Sequence, residues 1–238
     1  MTGLVVGLGE VGSALLRVLS AKHPTVGYDH AACGSIGPAD ILHIAFPWQE
    51  DFVGKVKGYQ VATGAGLIVV HSTVPVGTTR QLGETAVHSP VHGVHPHLDL
   101  GLRTFVKFVG GVDPKAAHAV ALYLASAGIR AQTVESPEAS ELSKLLATTL
   151  YGLSVLACKE AARACREHGV PFETAYAATL DAYNRGYRAL GMGHVAQPIL
   201  DPVPGAVNGH CITPNAVLLG GRLGQAFLDW NESFREES

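Results

Sequence analysis

The segment that most constrains this chain is a turn near its start, Gly7-Leu8-Gly9-Glu10-Val11-Gly12. It follows an apolar run, Gly3-Leu4-Val5-Val6-Gly7, and opens Ser13–Leu19, where apolar residues recur at helical spacing. A strand, a tight turn and a helix in that order form the amino-terminal unit of a dinucleotide-binding fold. The first glycine allows the turn, the second lets a diphosphate approach the backbone, and the third lets the helix pack closely. The helix start adds N–H groups that lack an intrahelical acceptor and attract an anion. In a chain with 28 glycines such a turn is weak evidence by itself, so its register with Asp29 matters. Asp29 closes the next apolar run, Thr25–Asp29, about 20 residues after the turn, where a carboxylate accepts from ribose hydroxyls and repels a 2′-phosphate. NAD rather than NADP is the expected cofactor, held by Gly7, Leu8, Gly9, Glu10, Val11, Gly12 and Asp29. The competing reading is the same fold with an empty or different nucleotide site.

The alternation continues along the first half. Ile41–Phe46 reads as a strand halted by Pro47, and Leu67–His71 as another halted by Val74-Pro75-Val76-Gly77. Ala86–His88 and Phe105–Val109 extend the pattern. The expectation is an α/β fold: a doubly wound parallel-sheet Rossmann domain over residues 1–136, followed over 137–238 by a long helix and a small α-helical domain. Phe46 and Pro47 after the third strand, and Ser72 and Thr73 after the fourth, lie where the carboxyl ends open a crevice and join the cofactor site. From Glu138 to His168 there is no proline and one glycine, Gly152, so one helix runs until Gly169 and Pro171 stop it. At about 1.5 Å per residue such a helix outreaches a small domain, which predicts a homodimer formed through residues 138–168. Short helices around a Pro/Gly-rich loop, Asp201–Asn215, complete the chain.

A formal net charge of -3, with no run of Lys or Arg, argues against nucleic acid and anionic membrane surfaces as partners. The small-molecule substrate expected of such a site is the remaining partner. Cys33, Cys158, Cys165 and Cys211 form no CxxC pair, and the chain opens on no signal-like segment, so reduced thiols in the cytoplasm are expected. No uninterrupted apolar run of the roughly 18 residues a span requires is present, and no membrane association is expected.

Three further segments resemble the UDP-glucose/GDP-mannose dehydrogenase family. His71-Ser72-Thr73-Val74-Pro75-Val76-Gly77-Thr78-Thr79 is similar to that family's STVPxGTT segment, Ala139-Ser140-Glu141-Leu142-Ser143-Lys144 to the AELxK start of its central helix, and Asn208-Gly209-His210-Cys211-Ile212 to its GGHCIP loop. The resemblance implies NAD-dependent oxidation of a primary alcohol through an aldehyde held on Cys211, then a thioester hydrolysed by water. Lys144 and position 148 would stabilise the oxyanion, and Thr73 would help hold the water. It also implies departures. Thr148 stands where the family has asparagine, Asn215 where it has aspartate, and Val91 where it has its catalytic glutamate. The chain ends at Ser238, where the family continues into a nucleotide-binding domain, so a shortened member with a smaller substrate is expected. β-Hydroxyacid dehydrogenases, which carry a similar helix lysine, are resembled in size. A non-catalytic NAD-binding protein is the alternative from another class.

Lys144 reads either as a group that polarises a substrate oxygen or as a solvated helix lysine. Cys211 reads either as a nucleophile, its thiolate stabilised by Lys144 or His210, or as a small buried hydrophobe. His88, His92, His95 and His97 fall within ten residues. Three readings stay open: a polar loop, a general base at His92 or His95 replacing the glutamate, or a transition-metal site. No metal is assigned.

Overall fold

The computed structural model describes residues 1–30, 36–93, 96–209 and 211–235. These divide into two compact units, Met1–Lys144 and Leu145–Ser238.

The first unit is built on a seven-stranded sheet in the order β2-β1-β3-β4-β5-β6-β7. Its strands are β1 (Gly3–Val6), β2 (Thr25–Tyr28), β3 (Ile41–Ile44), β4 (Leu67–Val70), β5 (Ala86–His88), β6 (Lys107–Gly111) and β7 (Ala131–Val134). Between them lie α1 (Glu10–Ser20), α2 (Phe52–Thr63), α3 (Leu98–Thr104) and α4 (Pro114–Ser126). The inner strands β1 and β3 are buried throughout, whereas the edge strands β2 and β7 are only partly covered. This is why the inner strands read as continuous apolar runs rather than alternating ones. One face carries a core that includes Leu15, Leu19, Val87 and Leu124, and the other a core around Leu42, Phe52, Val56 and Ile68. The sheet order reverses between β1 and β3, which makes the gap beside β1 the switch point where ligands of open α/β sheets bind.

The expected fold class holds, with one correction to the sheet. β6 pairs antiparallel with β5, and β7 runs parallel to β6, so the last two strands oppose the first five. A parallel return needs a crossover to the far end of the sheet. Here the seven-residue α3 and its flanking loops bring the chain back at the end it left. The sequence reading also passed over α2, α4 and β7, and α4 did carry a signal: Asp113 accepts from Lys115 N–H at 2.9 Å with Pro114 at the first helical position.

α5 (Pro137–Glu167) is the expected single long helix, 31 residues, ended by Gly169 at φ +64°. By length and composition it is apolar enough to cross a membrane, which differs from the expectation of no such segment. The interrupting charges that broke its apolar run are too few to lower its mean hydropathy. Its buried residues Val155 and Leu156 join the second unit's core with Val207, Ala216, Phe227 and Phe234, the packing of a core helix. The second unit continues through a π-helical segment, Glu173–Ala178, then α6 (Thr179–Ala189), α7 (Ile212–Leu219) and α8 (Gly221–Glu232). α7 begins inside the stretch read as a loop, so Asn215 is helical; two apolar turns from Ile212 outweigh Pro214, which is tolerated in a first turn.

Candidate functional site

The glycine turn has the geometry a diphosphate cradle needs. Gly7 has φ +90°, and a Cβ there would lie 2.7 Å from Phe46 N. A Cβ on Gly12 would lie 1.7 Å from the Gly7 carbonyl oxygen, so only hydrogen fits. Gly9 differs: a Cβ there would meet nothing within 4 Å, which leaves open space beside the start of α1. The turn is braced from both sides. Leu8 N–H donates to Asp29 Oδ2 at 2.7 Å, and Ser13 Oγ donates to Leu8 O at 2.7 Å. Asp29 thus stands one residue beyond β2, against the turn with which the sequence paired it. These residues fit a dinucleotide, with a side-chain-free approach at Gly9 and a carboxylate next to it.

The neighbouring strand ends continue this rim. Ser72 Oγ donates to the Phe46 carbonyl at 2.6 Å, which joins the ends of β3 and β4. The Phe46 ring packs on Phe52 and Tyr59, Pro47 is exposed, and Thr73 is half-buried. The segment after β4 is tied to the first turns of α5. Glu141, fully buried, accepts from Gly77 N–H at 2.6 Å and Thr79 N–H at 2.8 Å, and Arg80 pairs with Glu138. Burial raises the Glu141 carboxyl, opposed by those two amides, whereas the Arg80 hydrogen bond holds Glu138 at about 2.

Lys144, three residues after Glu141, donates from Nζ to the Val91 carbonyl at 2.9 Å. The lysine is therefore brought to the segment that leaves β5, where the resemblance had placed a glutamate. Val91 is buried, in a core with Leu98 and Leu102, so position 91 contributes its carbonyl and not its side chain. His92 follows it, half-buried, and lines a small cavity with Leu102, Phe105 and Lys107. Burial, then repulsion by Lys144 and Lys107, lowers His92 to about 4. It is a neutral base at working pH.

The histidine-rich stretch does not act as one cluster. His88 is fully buried, held to about 3 chiefly by burial; its Nε2 donates to Ser72 O at 3.2 Å and its Nδ1 accepts from Ser140 Oγ at 2.9 Å. His97 is exposed at the start of α3, and His95 lies outside the described residues. A strand alternates its faces and a loop does not continue it, so nearness in sequence did not bring these rings together. No group of three His, Cys, Asp or Glu side chains able to hold a metal is found among the described residues.

Behind the rim lies a polar chain that the sequence reading missed. His71 Nδ1 donates to the Ser89 carbonyl at 2.9 Å, so its Nε2 is the acceptor for His43 Nδ1 at 3.0 Å. His43 Nε2, buried, has no hydrogen-bond partner among the described residues. Burial lowers both rings, His43 to about 3. Lys107 Nζ donates to the same Ser89 carbonyl and to Pro90 O at 2.9 Å. Burial, then Lys144, lowers this amine well below the usual lysine range. The available signal was a lysine inside an apolar strand, Phe105-Val106-Lys107-Phe108-Val109.

In the second unit, Cys211 is half-buried at the cap position before α7, and Asn215 Nδ2 donates to Thr148 Oγ1 at 3.0 Å. The preceding loop is anchored at Val207, whose N–H and carbonyl bond Asn231 at 2.6 and 3.1 Å. His210 and Cys33 lie outside the described residues.

Compared by sequence, the chain matches no protein-family model and no curated protein. Among solved structures it is similar to the UDP-D-ManNAc dehydrogenase of Pyrococcus horikoshii, with TM-score 0.78 and 18% identity over 98% of this chain and 69% of that one. A UDP-glucose dehydrogenase of Pyrobaculum islandicum gives TM-score 0.71 and 20% identity over 98% and 68%. The 3-hydroxyisobutyrate dehydrogenase of Mycobacterium tuberculosis gives TM-score 0.72 and 17% identity over 98% of this chain and 93% of its own. The braced glycine turn at the switch point thus sits in a fold shared with dehydrogenases of both sugar nucleotides and a small hydroxy acid.

Proposed function

We propose that the protein is an NAD-dependent dehydrogenase that oxidises a primary alcohol or a hydroxy acid, a relative of the nucleotide-sugar dehydrogenases with a smaller substrate. The observation that carries this reading is the Lys144 Nζ–Val91 O bond, which sets an amine and the half-buried base His92 on the strand-end segment of the sheet that bears the glycine turn. In this reading Gly7–Gly12 hold the diphosphate, Asp29 the ribose, and Phe46, Pro47, Ser72 and Thr73 the nicotinamide half. NAD, when bound, supplies the hydride acceptor.

The chain's own groups supply the rest. Lys144 directs N–H bonds at the substrate oxygen and stabilises the alkoxide, exchanging its carbonyl partner for the substrate. His92, held neutral, takes the hydroxyl proton. The neutral form has an open lone pair, which a histidine at its ordinary pKa offers only above about 6.5. Reduced thiols agree with a cytoplasmic location, Cys158 and Cys165 being free and buried. Exposed Leu150 and Tyr151 on α5 are the residues on which the homodimer would form, as sedimentation of Leu150→Glu would show.

The test is calorimetric titration with NAD and NADH, followed by a screen of alcohols and hydroxy acids for NADH formation. Lys144→Ala should keep cofactor affinity and lose about 10²–10⁴-fold in turnover. Absence of binding by either nucleotide removes the reading. Tight binding without turnover on any substrate points to the non-catalytic alternative.

A further inference from the structure

We propose that Lys107 is a positioning residue, a buried amine whose bonds to the strap Ser89–Val91 set the orientation of His92.

The strap leaves β5 at Ser89, whose N–H makes a last ladder bond to Val70 O at 2.8 Å. Pro90 has no N–H and cannot continue a ladder, so three successive carbonyls enter a buried region and need donors. Two amines supply them. Lys107, on β6 and 3% exposed, donates to Ser89 O and Pro90 O, and Lys144 on α5 donates to Val91 O at 2.9 Å. The Ser89 carbonyl takes a second donor, His71 Nδ1. The Val91 side chain is packed in the core, so the backbone is pinned through residue 91 and the next side chain, His92, has its direction decided by that pinning.

A lysine is a costly way to fill this place. An apolar residue of the same length would pack beside Val106 and Leu102 without desolvating an amine, whereas burying one without compensation costs several kcal/mol. Its compensation is the strap. Lys107 and His92 also line the same small cavity with Gly101 and Phe105, so release of the strap would open His92 to water. The groups that face His92 are Lys144 from α5, Lys107 from β6 and His88 from β5, all basic. With the strap intact, His92 is kept from protonation by burial first and by these neighbours second.

The catalytic meaning of this arrangement rests on the dehydrogenase reading; the pinning itself does not. The test is titration of the His92 ring by NMR in the wild type, in Lys107→Met and in Lys107→Arg, with the fold checked by circular dichroism. The wild-type ring should titrate near 4. In Lys107→Met its pKa should rise at least tenfold in proton affinity toward the ordinary value of about 6.5, and Lys107→Arg, which keeps the donors, should restore it in part. NAD affinity should change by less than about twofold in either variant, whereas the acid limb of the rate profile should move with the ring. A His92 titration in folded Lys107→Met that matches the wild type overturns the proposal. So does a wild-type ring that titrates near 6.5, a result that needs no variant to fold. If His92 shifts as expected in a protein that binds no nicotinamide nucleotide, the positioning role stands and the dehydrogenase reading fails.

Discussion

Asn215 on α7 donates from Nδ2 to Thr148 Oγ1 on α5 at 3.0 Å, with the asparagine 4% exposed. These are two of the three positions at which the sequence departs from the family it resembles, and in the fold they are each other's partners. The carboxamide expected on the helix stands instead across from it, bonded to a hydroxyl. One departure therefore accommodates the other.

If the pair acts as a unit, its members should not be separable. Asn215→Ala and Thr148→Val should each destabilise by about 0.5–1.5 kcal/mol, because each removes the hydrogen bond between them. The double variant should fall short of their sum by about 1 kcal/mol. Urea unfolding of the four proteins measures this. Strict additivity would show that the contact contributes nothing.

The glycine turn yields a paired prediction. Gly9→Ala should fold as the wild type does, since its methyl meets nothing, yet lose at least about tenfold in NAD affinity if, as proposed, the diphosphate nears the backbone at the second glycine. Gly12→Ala should lose both binding and stability, its methyl being forced onto the Gly7 carbonyl. Calorimetry and thermal unfolding separate the two. A Gly9→Ala protein that binds NAD normally would place the diphosphate elsewhere.

Acid should destabilise this protein below about pH 6.5. His43 and His88 are held at about 3 in the folded state chiefly by burial, and His71 is also well below its ordinary value. In the unfolded chain each binds a proton near pH 6.5, so below that pH the unfolded state holds more protons and stability falls. At pH 4.5 His43 and His88 each cost on the order of 2–3 kcal/mol, and His71 adds in the same direction. The histidine contribution should be fully present above about pH 6.5 and shrink steadily as the pH falls below it, as urea midpoints followed by circular dichroism would show. Lys107, lowered in the same sense, makes stability rise with pH up to about 10, where the unfolded lysine loses its proton. A flat urea midpoint from pH 7 to 9 would mean that Lys107 is charged in the fold.

If Cys211 is the nucleophile that the family resemblance implies, it sets the number of electrons taken from the substrate. A thiol that holds the aldehyde carbon allows a second oxidation, whereas serine is too poor a nucleophile at neutral pH to replace it. Cys211→Ser should lower NADH formed per substrate from about two to about one. An unchanged ratio would assign the chemistry to Lys144 and His92 alone.

Glycine spacing, apolar runs and the register of Asp29 are local patterns, and local backbone physics makes them readable in one dimension. Gly7 needs a positive φ, Gly12 needs to lack a side chain, and both demands follow from a strand turning into a helix within a few residues. By these means the amino acids alone determined the glycine turn, the inner strands and the extent of the long helix. The reversal of β6 and β7, the dispersal of the histidines, the burial of Val91 and the lysine pair on the Ser89–Val91 strap belong to the tertiary structure. Each depends on contacts between residues tens of positions apart, where desolvation and unmet backbone carbonyls choose the partner and no periodicity records the choice. Lys107 shows the difference. As a letter it is an interruption in an apolar strand; in the fold it is the amine that answers two buried carbonyls.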